Sequence, residues 1–336
     1  MEWLTKRAIS SGFKWIIFVP ILGLAVVPFY SSPFVLQIVN QAGLMAIGAM
    51  ALTVLTGTAG LLSLGHAAFL GIGGFTAGLL SLYFHLPMFA CAFIAGMVGL
   101  VVGMAVALAT LRTSGIYLTV GTLALQYIVA VVLVDIEVGV TAAQGFVMPL
   151  ADVFGWKVAT FSQWWALIFA LLIFVYFSLR WLMASHLGRS WMCARDEPII
   201  AEAMGIPTVF ARARVFMLTS FLTSFIGAIG AFYLGIAQAS NYDLRLSIIY
   251  LTAVVIGRLG SLKGAIIGAF AMTALPHVLA HILNSFGSGK INSFAGVENV
   301  AMGIILSVAL LQLPQRGYSF IRQYFGRARG EASNVG

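Results

Sequence analysis

"WIIFVPILGLAVVPFYSSPFVLQIVNQAGLMAIGAMALTVLTGTAGLLSLGHAAFLGIGGFTAGLLSLYFHLPMFACAFIAGMVGLVVGMAVALATL", Trp15 to Leu111, runs for 97 residues without one Asp, Glu, Lys or Arg. As one helix it would stretch about 145 Å at 1.5 Å per residue, whereas a bilayer's hydrocarbon core is about 30 Å thick. The stretch must therefore fold back on itself. Its turn signals lie at "PFYSSP" (Pro28 to Pro33), at the Gly-rich "GTAGLLSLG" (Gly57 to Gly65) and at "YFHLP" (Tyr83 to Pro87), which divide it into four spans. The rest of the chain has the same character: of 336 residues 61% are hydrophobic and 8% charged, against about 25% charged in a soluble domain. At about 20 residues per crossing, the apolar content suffices for about ten. A membrane β-barrel is excluded, since its strands alternate apolar and polar residues and "FIAGMVGLVVGMAVALATL" from Phe93 is apolar on every side. The expected fold is an all-α polytopic membrane protein of about ten transmembrane helices, forming one domain over residues 1–336.

Charge-free intervals mark the later spans. A fifth runs from Thr113 to Val134 and delivers Asp135 and Glu137 to the far side, followed by a loop to about Gln163 that is too polar to cross. A sixth ends at Arg180 and a seventh covers about Val215 to Ile236. The eighth, Leu246 to Gly257, has only 12 uncharged residues, so it is either a short or tilted crossing that starts near Asp243 or a re-entrant segment; we favour the crossing. A ninth is expected from Gly264 to Leu283 and a tenth from Asn299 to Leu313. Lys6, Arg7 and Lys14 before the first apolar run resemble the start of a signal peptide. No convincing small-residue cleavage site follows, so that run is read as an uncleaved first span.

With the N-terminus inside, the inner segments hold 15 of the 18 Lys and Arg, and only Lys157, Arg245 and Lys290 fall outside. The inner side then nets +10 and the outer −2. This follows the positive-inside rule and places both termini, residues 184–213 and the basic tail 319–336 in the cytoplasm of a bacterium, under its inner membrane, with 135–161 periplasmic. The formal charge of +8 is accounted for by topology rather than by nucleic-acid binding.

Little in the chain points to an enzyme. Cys91 and Cys193 give neither a disulfide framework nor a metal spacing. His277 and His281 lie one helical turn apart, but no carboxylate shares their span, so no metal site is expected. There is no P-loop, G-x-S-x-G or H-E-x-x-H pattern, and the spans lack the intramembrane acidic and basic clusters of proton-coupled transporters. Candidate residues lining a path are His66, at the start of the third span beside an expected tight turn at Gly57 to Gly65, with Gln126 and Tyr127 in the fifth. His66 either contacts solute or bonds a neighbouring helix. "LTVLTGTAGLLSLG" from Leu52 and "LTAVVIGRLGSLKG" from Leu251 share LT followed by G-x-x-G, as an internal repeat or by chance.

The inner loop "HLGRSWMCARDEPIIAEAMGIPTVFARAR", His186 to Arg214, is basic at both ends with an acidic and apolar centre. Pro198 suits the first turn of a helix and Gly205 its end. Ile199, Ile200, Ala203 and Met204 would then form an apolar patch that a loop facing only water has no use for. A partner docking on Glu197 to Gly205 is expected.

This loop, together with "LTGTAGLLSLGHAAFLGIGGFTAG" near Leu55, "RTSGIYLTVGTLAL" (Arg112 to Leu125), "VVIGRLGSLKGAIIGA" (Val254 to Ala269) and "LPQRGY" (Leu313 to Tyr318), resembles the permease subunit of branched-chain amino acid ABC importers, the LivM type. The resemblance covers residues 40–318 in the right order. It implies an ABC importer permease fold without its own ATPase motif and a second homologous permease subunit. It also implies two cytoplasmic subunits that bind ATP with magnesium, and a periplasmic solute-binding protein. It implies that Ala201 to Gly205 is a degenerate E-A-A-x3-G coupling loop, so that Glu197, Ile199, Ile200, Glu202, Ala203, Met204 and Gly205 would press on the ATPases. Related permeases also serve urea and short amides. Two positions depart from the pattern: "TAAQG" (Thr141 to Gly145) stands where relatives often have T-G-G-x-x-G, and Arg258 where Gly is usual.

Overall fold

Pro33 at the first turn opens helix α1, Pro33–Thr58, in a computed structural model that describes residues 32–110, 116–153, 156–286 and 303. The expected first span, all of the expected tenth but Gly303, both termini, Lys290 and the tail 319–336 lie outside the described residues. Helices α2 (His66–Phe84), α3 (Met88–Thr110), α4 (Ile116–Thr141), α5 (Phe161–Ala184) and α8 (Thr208–Leu234) follow, with α6 (His186–Asp196) and α7 (Pro198–Ala203) between the last two. The chain continues through a 3-10 turn, Ala239–Tyr242, into α9 (Leu244–Ile256) and α10 (Leu262–Phe286). Helices α1 to α5 and α8 are long and apolar enough to cross a membrane, and they occupy the expected spans two to seven. α1 and α8 form the centre, and α8 lies against α2 and α3 through small residues: a Cβ at Gly73 would stand 1.9 Å from the Ser224 carbonyl oxygen. In lipid this backbone-to-backbone packing supplies the cohesion that water exclusion supplies elsewhere.

Two groups of contacts define the two ends of the bundle. At the basic end Arg195 of α6 donates to the Gly57 carbonyl, and Gly57 touches Gly260. At the other end Asn40 donates to the Phe161 carbonyl (2.9 Å), and the buried Glu137 carboxylate accepts the Ala239 N–H at 2.7 Å. The expected non-crossing loop lies there, built from β1 (Phe146–Val147) paired antiparallel with β4 (Ile236–Ala237), and β2 (Ala151–Val153) with β3 (Trp156–Val158). A Thr160–Gln163 capping box then starts α5.

Two expectations change. Gly57 to Gly65 is no simple tight turn: after Thr58 the chain runs back into the bundle, and α2 begins at His66, whose ring bonds the Gly48 backbone. Gly48 is nine residues before Gly57 on α1, about 14 Å into the bundle. The eighth span changes less: it starts near Asp243, which caps α9, and the turn after it meets Gly57 at the basic end, but its helix is short. α9 has 13 residues, about 20 Å of helix, and it starts part-way down, with Tyr242 against Gly71 and Gly74 of α2. Non-helical backbone at such depth requires protein partners for its polar groups, and Gln126 supplies them for both segments. Its Oε1 accepts from Ala68 N–H at 2.6 Å, and its Nε2 donates to the Tyr242 carbonyl at 2.8 Å. Ser247 accepts from Ala67 N–H (2.8 Å) and Thr122 from Leu64 N–H (3.1 Å). The two similar G-x-x-G segments meet at the basic end, where each second glycine is left-handed, Gly60 at φ 67° and Gly260 at φ 81°.

Candidate functional site

The basic-end arm is a pair of helices where the sequence pointed to one. α6 is an added element of 11 residues, held to the bundle by its buried Trp191 and Ala194 and capped by Ser185, whose hydroxyl accepts from Gly188 N–H. Its 186–196 sequence reads as a basic flank because the apolar contacts number only these few. α7 is the expected short helix, six residues with Pro198 in its first turn. It ends in a paired turn: Ile206 N–H bonds the Ala201 carbonyl and Gly205 N–H the Glu202 carbonyl, both at 2.9 Å, with Gly205 at φ 79°. That left-handed residue is where glycine is favoured after a helix.

The seven candidate coupling residues divide by what they touch. Ile199 and Met204 are 76% and 71% exposed, Ile200 is also exposed, and together they form an apolar tip. Glu197 and Ala203 are exposed beside them, and Gly205 has nothing within 4 Å of where a Cβ would stand. Glu202, exposed as well, bonds its own chain, accepting from the Thr208 hydroxyl at 2.6 Å and so tying α7 to the start of α8. Ala201 is fully buried.

The three candidate path residues are not brought together. Gln126 is 1% exposed and bonds two backbone groups and, at 3.4 Å, the Ser247 hydroxyl. Tyr127, the next residue, is 59% exposed on the outer surface of the bundle. His66 is buried with its ring 4.7 Å from that of Tyr250, and its Nε2 has no partner. His277 is exposed and packs edge-on against Phe34, 5.6 Å between centroids, while the His281 side chain lies outside the described residues. Among the described residues no group of three or more His, Cys, Asp or Glu could hold a metal.

A cavity of about 500 Å³ lies between α1, α8, α9 and α10, with Met45, Tyr233, Asn241, Tyr250, Thr273 and His277 among its walls. Neither Gln126 nor Tyr127 lines it, and His66 reaches it through Tyr250. Mostly apolar walls with a few hydroxyl, amide and imidazole groups suit a small amphipathic solute. These wall residues carried no pattern in the sequence, since they come from several helices and the 3-10 turn and are scattered from Gln41 to His277.

Membrane-length helices around a cavity, with a structured helical arm at the basic end, define a polytopic α-helical membrane protein. The chain belongs to the family described as branched-chain amino acid transport system / permease component, whose model matches residues 34–312. It is similar to the High-affinity branched-chain amino acid transport system permease protein LivM of Escherichia coli (strain K12), 27% identical over 279 residues, or 76% of this chain and 66% of that protein. The protein of the same name from Salmonella typhimurium is 26% identical over 267 residues, 72% of this chain and 63% of the relative. The matched region thus spans just under two thirds of these relatives' length. No solved structure matches the chain.

Proposed function

We propose that this chain is the membrane-spanning permease subunit of an ATP-driven importer for branched-chain or related amino acids. It hydrolyses no ATP itself; two cytoplasmic subunits bind ATP with magnesium, a second homologous permease subunit completes the passage, and a periplasmic solute-binding protein delivers the solute. The basic end faces the cytoplasm of the bacterial inner membrane, and the exposed Ile199, Ile200 and Met204 of α7 seat in the ATPases. The cavity beside Tyr233 and Tyr250 is a stage on the solute's way, reached from the acidic end. The observation that carries this reading is the family match over residues 34–312, to which the apolar tip of α7 gives a mechanical meaning.

The test is to purify the chain from its native membrane, identify co-purifying ATPases, and measure leucine uptake into proteoliposomes supplied with the solute-binding protein, with and without ATP. Co-purification and ATP-dependent uptake are expected. In the double variant Ile199→Asp, Met204→Asp, both should fall at least tenfold, a factor equal to about 1.4 kcal/mol of docking energy. Uptake driven by an ion gradient without ATPases would replace the reading with a stand-alone secondary transporter or channel, and ATP-driven uptake of urea or an amide in place of leucine would change the substrate class.

A further inference from the structure

The Gly57 carbonyl is at the C-terminal end of α1, where the helix stops at Thr58 and last-turn carbonyls lose their intrahelical donors. The negative end of the helix dipole also lies there. Arg195, in the last turn of α6 and immediately before α7, reaches across and donates Nη1 to that oxygen. The same guanidinium grips Asp196, with Nε and Nη2 each 2.7 Å from Oδ1. On its other side Gly57 has no slack, because a Cβ there would stand 2.4 Å from Gly260 Cα. Gly260 belongs to the turn between α9 and α10, and that turn closes tightly through Gly257 against Gly264. α1, α9 and α10 all line the cavity.

We propose that Arg195 is a positioning residue that transmits movement of the α6–α7 arm to the cavity walls, by holding the end of α1 against the α9–α10 turn. The inference rests on the reading of α7 as the ATPase docking element. Glu202 ties α7 to α8, which also lines the cavity, and Arg212 of α8 donates to the Ala194 carbonyl of α6 at 3.2 Å, so the arm is bonded to α8 on one side and, through Arg195, to α1 on the other. If α7 moves with its partner, Glu202 and Arg212 carry α8, whereas α1, against which α6 also packs, is bonded to the arm by the guanidinium. Loss of Arg195 therefore leaves docking and ATP turnover in place and disconnects them from the passage. A lysine restores the charge with a single point of contact but lacks the planar fork that bonds carbonyl and carboxylate together.

The experiment uses the whole transporter, with co-purified ATPases and the solute-binding protein in proteoliposomes, and reads leucine imported per ATP hydrolysed, normalised to embedded chain. Arg195→Gln should keep its ATPases and hydrolyse ATP at the parental rate, yet import at least tenfold less leucine per ATP. Arg195→Lys should fall between the two, and Asp196→Asn, which retains the Gly57 bond, should stay within about twofold of the parent on the scale where tenfold equals 1.4 kcal/mol. If Arg195→Gln inserts poorly, the Lys variant carries the test through the same ratio. A parental ratio in both Arg195 variants overturns the link and leaves the importer reading standing. Loss of the ATPases from Arg195→Gln also overturns it, by making Arg195 a docking residue. A parent that imports no leucine with ATP overturns the importer reading itself.

Discussion

Arg258 has φ 74°, and Ala142 and Ala143 have φ 49° and 65°, the left-handed region in which a Cβ crowds the following carbonyl. These are the positions at which the sequence departs from the glycines usual in the permeases it resembles. The sequence shows the departure; only the dihedral angle gives its physical cost. Arg258 is exposed, so Arg258→Gly should relieve strain without opening a hole, raising stability by about 1 kcal/mol, read as a higher midpoint of thermal unfolding in detergent. The converse change, Gly205→Ala, puts a Cβ on a residue at φ 79° in open space, and should lower stability by about 1 kcal/mol for backbone reasons alone. Gly205 was legible in the sequence because a glycine soon after a short capped helix has one common use. Arg195 was not, since a basic residue in a basic loop carries no sign of the carbonyl it will meet 138 positions away.

Among the elements, the six long helices were legible from charge-free runs, and the half-inserted segments before α2 and α9 were not. An apolar stretch states that it belongs in the membrane; it does not state the depth at which its helix begins. Gln126 decides that depth by bonding the first turn of α2 and the turn before α9 at once. Gln126→Leu should leave a buried N–H and a buried carbonyl without partners, a loss of about 1–3 kcal/mol for each, visible as a lower unfolding midpoint with helix content retained. Helix contacts give a second test. Gly73→Ala would drive a methyl group into the Ser224 backbone, whereas Gly230, on the cavity side of α8, has nothing within 4 Å. Gly73→Ala should cost about 1–3 kcal/mol by overpacking, and Gly230→Ala should leave thermal stability unchanged or slightly raised.

At the scale of the whole molecule, the charge bias sorts segments into two compartments and the folded chain groups the same segments at opposite ends. Trp156, 82% exposed on β3, and Ser190, half-buried on α6, mark those ends. In intact cells an impermeant maleimide should modify Trp156→Cys and reach Ser190→Cys only after permeabilisation; the reverse pattern would invert the orientation given by the positive-inside rule. The amino-acid sequence alone determined that this chain is a helical membrane protein, where most crossings lie, and that a short helix with an apolar face lies within residues 197–205, between Pro198 and Gly205. Those properties depend on local sequence, through the transfer of apolar residues from water and the restrictions of proline and glycine on the backbone. Tertiary structure alone decided that α2 and α9 begin inside the bundle, that α6 exists as a packed helix, that Arg195 holds the end of α1, and which residues wall the cavity. Each of these joins residues far apart in the chain, and the bond or contact that fixes it comes into being only when the helices have packed.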